Sequence, residues 1–109
     1  MYFATPFDIN MNEHLDNLKR LYLDVPQFGD GTIRDLRKIF DEYISIFVHI
    51  STIEDYKDPA SELNEGFEDI DTLISASLEA TTGEDKEIFF SGASNRLKGD
   101  IRSLIEIIN

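Results

Sequence analysis

Apolar residues recur along most of this chain at alternating steps of three and four, the spacing that places them on one face of an α-helix. Four stretches with this pattern are separated by segments rich in glycine, proline and polar residues. The predicted helices cover residues 10–24, 32–50, 59–81 and 95–108. We therefore expect an all-α fold, a small antiparallel bundle of four helices, or of five if the last one is divided.

The second predicted helix is apolar nearly all round, as is typical of a helix in the middle of a bundle. It begins at Thr32, which forms a capping pair with Asp35. Residues 43–50 near its end are rich in β-branched residues and are also compatible with a short buried strand. No second segment of similar pattern is present to pair with such a strand, so we predict helix.

The boundaries of the last two predicted helices depend on a few residues. Asp58 and Pro59 resemble a helix start, with aspartate at the cap and proline at the first helical position. Thr82 and Gly83 are expected to close the third helix, with the glycine in the left-handed cap position. Gly92 either divides the last helix or lies within a continuous one, and the sequence leaves both alternatives open.

The first eight residues lack helical spacing and predict an extended N-terminal arm, with Phe3 and Phe7 packed against the bundle. At 109 residues the chain is long enough to close one core and too short for two, so we expect residues 1–109 to form a single domain. The predicted core comprises Leu18, Phe40, Tyr43, Phe47, Phe67, Ile70, Ile74, Leu97, Ile101 and Leu104.

The negative charge of the chain is concentrated in its middle. The segment from Ile39 to Asp85 holds thirteen carboxylates and one base, Lys57, and so accounts for the whole net charge of −12. Such a field attracts basic partners and repels nucleic acid and anionic membranes. The other lysines and arginines form small clusters diluted by acidic residues, so we expect no direct nucleic-acid binding and no membrane partner.

The chain contains no cysteine, which excludes disulfides, thiolate metal sites and thiol nucleophiles. It has no apolar stretch that could span a membrane and no signal-peptide pattern at its N-terminus. These features predict a cytoplasmic protein. They predict no cofactor and leave the oligomeric state undetermined.

Carboxylates recur at steps of three from Glu62 through Glu65 and Glu68 to Asp71. On a helix this spacing projects neighbouring oxygens to one broad side, as Mg²⁺ coordination requires. The pattern resembles the metal-binding half of the all-α nucleotide pyrophosphatases of the MazG type, which use Glu-x-x-Glu on one helix and Glu-x-x-Asp on the next. Here both pairs fall on one predicted helix. A solvated acidic face explains the same residues, so we predict no metal site.

His14 and His49 are the only histidines, and neither has the partners that metal sites on helices use. We expect His14 on the surface and His49 in the core or at an interface. Since a catalytic site needs several converging groups, we predict no catalytic residue.

Together these observations predict an acidic protein inhibitor that binds a basic protein partner. The first hypothesis is an immunity protein that neutralises a nucleic-acid-cleaving bacterial toxin, because a row of carboxylates complements a phosphate-binding cleft. The alternatives are a phage-encoded DNA mimic that antagonises a host nucleic-acid-binding enzyme, a Mg²⁺-dependent MazG-like nucleotide pyrophosphatase, and a non-catalytic helical adaptor.

The predicted interface lies on the outer face of the third helix and in the loop before it. Its residues are Glu54, Asp55, Tyr56, Asp58, Glu62, Glu65, Glu68, Asp69 and Asp71. Tyr56 is included because aromatic anchors tend to dominate the energy of an interface. Simple packing at the end of the second helix is its other interpretation.

Overall fold

The computed structural model describes the backbone of residues 6–109 and the side chains from Met11 onward. Five helices follow one another within these residues: α1 (Pro6–Asp24), α2 (Ile33–Ser51), α3 (Glu54–Ser61), α4 (Asn64–Glu79) and α5 (Gly83–Ile108). The predicted all-α fold is confirmed, and residues 43–50 are helical. In the described part of the chain, no helix carries an apolar run long enough to cross a bilayer.

The four long helices form a bundle in which each runs opposite to its two neighbours. Short connections make a hairpin of α1 with α2 and another of α4 with α5, and α3 links the two hairpins at one end. Side-chain contacts between neighbouring helices are Arg20–Glu42 for α1 and α2, Arg37–Asp71 for α2 and α4, Asp69–Arg96 for α4 and α5, and Lys98–Tyr22 for α5 and α1. This is the up-down-up-down arrangement of a helical bundle.

The third predicted helix, 59–81, is divided into α3 and α4, with a break at Glu62 and Leu63. The prediction that Asp58 and Pro59 start a helix was wrong, because α3 already begins at Glu54 and Pro59 lies inside it. Proline has no N–H to donate to the carbonyl four residues earlier, and it therefore weakens a helix interior. Accordingly, α3 ends shortly after the proline, at Ser61.

The last helix is continuous through Gly92, and it begins earlier than residue 95. Thr82 caps its N-terminus, since the threonine hydroxyl accepts a hydrogen bond from the Asp85 N–H at 3.1 Å. Gly83 is the first residue of α5, and Gly29 is the one described glycine with positive φ. The prediction of a left-handed cap at Gly83 was therefore wrong.

The first helix begins at Pro6, so residues 6–8 of the predicted arm are helical. Residues 1–5 and the side-chain packing predicted for Phe3 and Phe7 lie outside what the structure describes. Beyond the end of α1 the chain turns at Gly29, whose φ of 98° is a conformation that glycine adopts without steric cost.

The core is built around aromatic contacts between α2 and α4. Phe67 of α4 meets the ring of Phe47 edge-to-face, with centroids 4.7 Å apart, and lies 5.7 Å from the ring of Tyr43. Such arrangements add to the stabilisation that burial alone provides. Nine of the ten predicted core residues are buried. Phe67 is the exception and is partly exposed, because it lies at the flank of α4.

The Asp100 side chain of α5 packs directly against the α4 backbone at Gly66. A Cβ at this position would collide with Asp100 Oδ2, so the carboxyl group occupies the volume that a side chain would need. Asp100 is 8% exposed, and its Oδ2 has no hydrogen-bond partner among the described residues. Burial raises the pKa of the Asp100 carboxyl, and Arg96, 3.5 Å from Oδ1, opposes this effect.

Replacing Gly66 by alanine tests this close approach. Alanine is the better helix former by about 1 kcal/mol, yet Gly66→Ala should destabilise the protein by roughly 1–3 kcal/mol, because Asp100 or the helix must move. Gly99→Ala on α5 is the matched control, since nothing lies within 4 Å of its added Cβ, and it should stabilise by about 1 kcal/mol. Urea unfolding measures both changes.

A double-mutant cycle tests whether the loss of stability in Gly66→Ala comes from the collision with Asp100 or from a change in the intrinsic stability of α4. In an Asp100→Ala background the cost of Gly66→Ala should fall, because the colliding carboxyl group is gone. Equal stabilisation by Gly66→Ala and Gly99→Ala would contradict the close approach.

Candidate protein-interaction surface

One row of α4 side chains points away from the core. Gly66, Ile70 and Ile74 are buried, and residues three or four apart share a helix face, so the opposite face is directed to solvent. The exposed row on that face comprises Glu65, Glu68, Thr72, Ser75 and Glu79. Two carboxylates therefore stand together on the first half of the helix, followed by two small hydroxyl residues and a third carboxylate.

The side chains of Asp69 and Asp71 project from the two flanks of α4 and pair with arginines of the neighbouring helices. Asp69 Oδ2 lies 3.3 Å from Arg96 Nη1 on α5, and Asp71 pairs with Arg37 on α2. Both aspartates were predicted to bind a partner. The structure places them in contacts between helices, where an arginine already offsets their charge.

The acidic residues of α3 and of the α3–α4 connection are exposed. Together with the first part of the α4 row they form what we call the acidic surface: Glu54, Asp55, Asp58, Glu62, Glu65 and Glu68. Lys57 is the one base within this span. Among the described residues none of the six carboxylates forms an ion pair, in contrast to Asp69 and Asp71.

Tyr56 lies on the inner side of α3. It is partly buried and packs against the core, next to the fully buried Ala60. This position agrees with the packing interpretation of Tyr56, since the ring already has apolar neighbours within the protein.

The carboxylate ladder from Glu62 to Asp71 is divided by the fold. Glu62 belongs to the end of α3, and Glu65, Glu68 and Asp71 lie on α4. Each step of three residues rotates a side chain by about −60° around the helix axis, so Asp71 has turned away from Glu65 and toward Arg37. Among the side chains that the structure describes, from Met11 onward, no group of three or more acidic or histidine residues is arranged to hold a metal ion.

The two histidines meet between α1 and α2, which the sequence did not predict. Their ring centroids are 4.8 Å apart in an edge-to-face arrangement. His14, expected on the surface, is partly buried, and neither ring nitrogen has a hydrogen-bond partner among the described residues. His49, expected in the core or at an interface, is exposed. Burial, and then the neighbouring His49, lower the pKa of His14 below 6.5, so its ring is neutral at pH 7.

The chain matches no protein-family model, and comparison with curated proteins and with solved structures gives no match either. A functional proposal must therefore start from the geometry and charge of the described residues.

Protonation of His14 should destabilise the fold. Because the folded-state pKa is lowered from 6.5, the neutral ring contributes stability above that pH, and this contribution is lost as the pH falls below it. We expect urea midpoints to decrease more for the wild type than for His14→Phe between about pH 7.5 and 5.5, since phenylalanine keeps a ring and cannot titrate.

His49→Gln is the control for the contact between the two rings. It removes the second charge but leaves His14 partly buried, so the loss of stability at low pH should be smaller than in the wild type. If the urea midpoint decreased equally with falling pH in the wild type and in His14→Phe, the proposed role of His14 would be contradicted.

Proposed function

We propose that this chain is a cytoplasmic inhibitor of a basic protein, and specifically an immunity protein that neutralises a nucleic-acid-cleaving toxin. The observation that carries the proposal is the acidic surface, whose six carboxylates are exposed along α3, the α3–α4 connection and the first half of α4 and form no ion pair among the described residues. Acidic residues close by, such as Asp69 and Asp71, are offset by arginines. The six charges of the acidic surface are therefore available to a partner.

The arrangement of the carboxylates suits a phosphate-binding target. Glu65 and Glu68 are three residues apart on α4, so their Cβ atoms are about 5–6 Å apart. Two neighbouring lysine or arginine side chains can each bind one of them. An enzyme that cleaves nucleic acid has such basic residues in its cleft, and occupying the cleft blocks the substrate. Electrostatic steering brings such pairs together at up to about 10⁸–10⁹ M⁻¹s⁻¹ at low salt.

Co-expression tests the biological part of the proposal. A toxin encoded by the gene immediately upstream should kill a bacterial host when it is expressed alone, and co-expression of this chain should restore growth. An active-site variant of the toxin that no longer kills is the control for expression load. A toxic neighbour that this chain binds but does not inhibit would favour the adaptor, and inhibition of a host nucleic-acid enzyme instead would favour the DNA mimic.

Charge reversal tests whether the acidic surface makes the contact. Glu65→Lys with Glu68→Lys should slow association with the toxin about tenfold at low salt and flatten the salt dependence of the rate, because steering depends on these charges. Glu13→Lys with Asp16→Lys on α1 is the matched control, since both residues are exposed, are also three apart and change the net charge equally.

Stopped-flow mixing at several salt concentrations measures both effects. The control pair should change the rate less than about twofold. If the α4 variant associated at the wild-type rate with the wild-type salt slope, the acidic surface would serve solubility alone, and the adaptor alternative would replace the proposal.

A further inference from the structure

A small apolar cleft opens at the end of the bundle that carries the two hairpin turns. Its apolar lining comes from Phe28 in the α1–α2 turn, Ile33 at the start of α2, Leu78 near the end of α4 and Phe90 on α5. Its volume is about 230 Å³. Phe90 is buried and forms the floor, with the Phe28 ring edge-to-face against it at 5.6 Å between centroids. We call this site the end cleft.

The end cleft leaves large apolar side chains in contact with water. Leu78 is 59% exposed and Phe28 is 43% exposed, although a packed core lies directly below them. Apolar surface grouped in a concavity marks interaction sites more often than isolated exposed residues do. Sites for small molecules usually measure about 300–1,000 Å³. The end cleft is smaller and matches a single inserted side chain.

The cleft is formed before any partner binds. The Ser77 hydroxyl donates a hydrogen bond to the Lys86 carbonyl at 3.2 Å, which ties the end of α4 to the start of α5. The Thr82 cap fixes the beginning of α5 between them. Because the residues that line the cleft are already held in place, binding of a side chain there costs little conformational entropy.

The chain segments that line the cleft carry more acidic than basic residues. Exposed carboxylates close to the lining residues in sequence are Asp30, Glu79, Glu84, Asp85 and Glu87. Lys86 itself lines the cleft and Arg34 is the other base in the same segments, so the five carboxylates still leave these segments with an excess of negative charge. Complementarity then requires a partner segment in which an apolar side chain is flanked by lysine or arginine.

We propose that the end cleft binds one aromatic or leucine side chain from a basic segment of the protein partner. This inference rests on the proposed function, because the occupant belongs to the same basic partner that the acidic surface attracts. The exposed α4 row begins in the acidic surface with Glu65 and Glu68 and ends at Glu79, which is adjacent to the cleft residue Leu78. The exposed charges set the rate of association, and the inserted side chain sets the rate of dissociation.

Short peptides test the cleft without the partner. The probe is the capped pentapeptide Lys-Arg-Phe-Arg-Lys, and its controls carry alanine in place of phenylalanine, or glutamates in place of the basic residues. In amide NMR spectra of the full chain, the probe should shift resonances of residues 28–33, 77–79 and 86–90. The alanine peptide should produce weaker shifts spread over acidic residues, and the glutamate peptide should produce none.

Leu78→Ser removes the exposed part of the lining and should abolish the localised shifts. Leu23→Ser is the matched control, because Leu23 is 79% exposed on α1 and does not line the cleft, and the shifts should persist. Both side chains are mostly in solvent, and circular dichroism checks that both variants keep the fold. Equal shifts with the phenylalanine and alanine peptides, or unchanged shifts in Leu78→Ser, would overturn the inference.

With the toxin, Leu78→Ser should speed dissociation at least fivefold and leave association unchanged, whereas Leu23→Ser should alter neither rate. If Leu78→Ser left the dissociation rate unchanged, the inference about the end cleft would be overturned. The proposed function would still stand if the variant with Glu65→Lys and Glu68→Lys associated more slowly. Localised peptide shifts with no toxin inhibition would instead support the cleft and remove the proposed function.

Discussion

The packing of the Asp100 carboxyl group of α5 against Gly66 of α4 constrains how these two helices meet. The Asp100 carboxyl group occupies the space that a Cβ at residue 66 would need, so a side chain turned into that position would collide with it. In the observed orientation of α4, Glu65 and Glu68 face solvent, and Asp69 and Asp71 lie beside arginines of the flanking helices. A turn of 100°, one residue along the helix, would exchange these roles.

The close approach has an energetic cost of its own. An aspartate that is 8% exposed loses most of its hydration, and Arg96 offsets only part of this loss because it also pairs with Asp69. The direction of the Asp100 pKa shift agrees with this balance, since burial is its largest cause. Arg96 is close both to Asp100 on its own helix and to Asp69 on α4, so the buried carboxyl group is linked through this arginine to a charge on the neighbouring helix.

Helix periodicity predicted most of the fold because a bundle core depends on local spacing. The steps of three and four in α2 placed Phe40, Tyr43 and Phe47 on one face, and all three are buried. Boundaries were less predictable where two signals competed. Pro59 is compatible with a helix start and with a weakened helix interior, and the residues around Thr82 and Gly83 fit either the end of one helix or the start of the next.

The candidate site was less predictable because it depends on contacts between helices. The sequence shows that Asp69 and Asp71 lie on a polar arc, but it does not show that Arg96 and Arg37 stand opposite them. The meeting of His14 with His49 likewise requires the antiparallel alignment of α1 and α2. The end cleft draws its apolar lining from a turn and three helices, and no single segment of the chain carries a signal for it.

The distance between the acidic surface and the end cleft restricts the kind of partner that can use both. Glu65 lies near the start of α4 and Leu78 near its end, and a rise of 1.5 Å per residue separates them by roughly 20 Å. That distance fits within an interface of about 800 Å² on each partner, the size typical of stable complexes between folded proteins. A short linear motif that filled the cleft would leave the carboxylates of α3 largely unmatched. If both proposals hold, the two proposed sites together favour a folded basic domain as the partner, with its basic cleft over α3 and the first half of α4 and an apolar side chain at the bundle end.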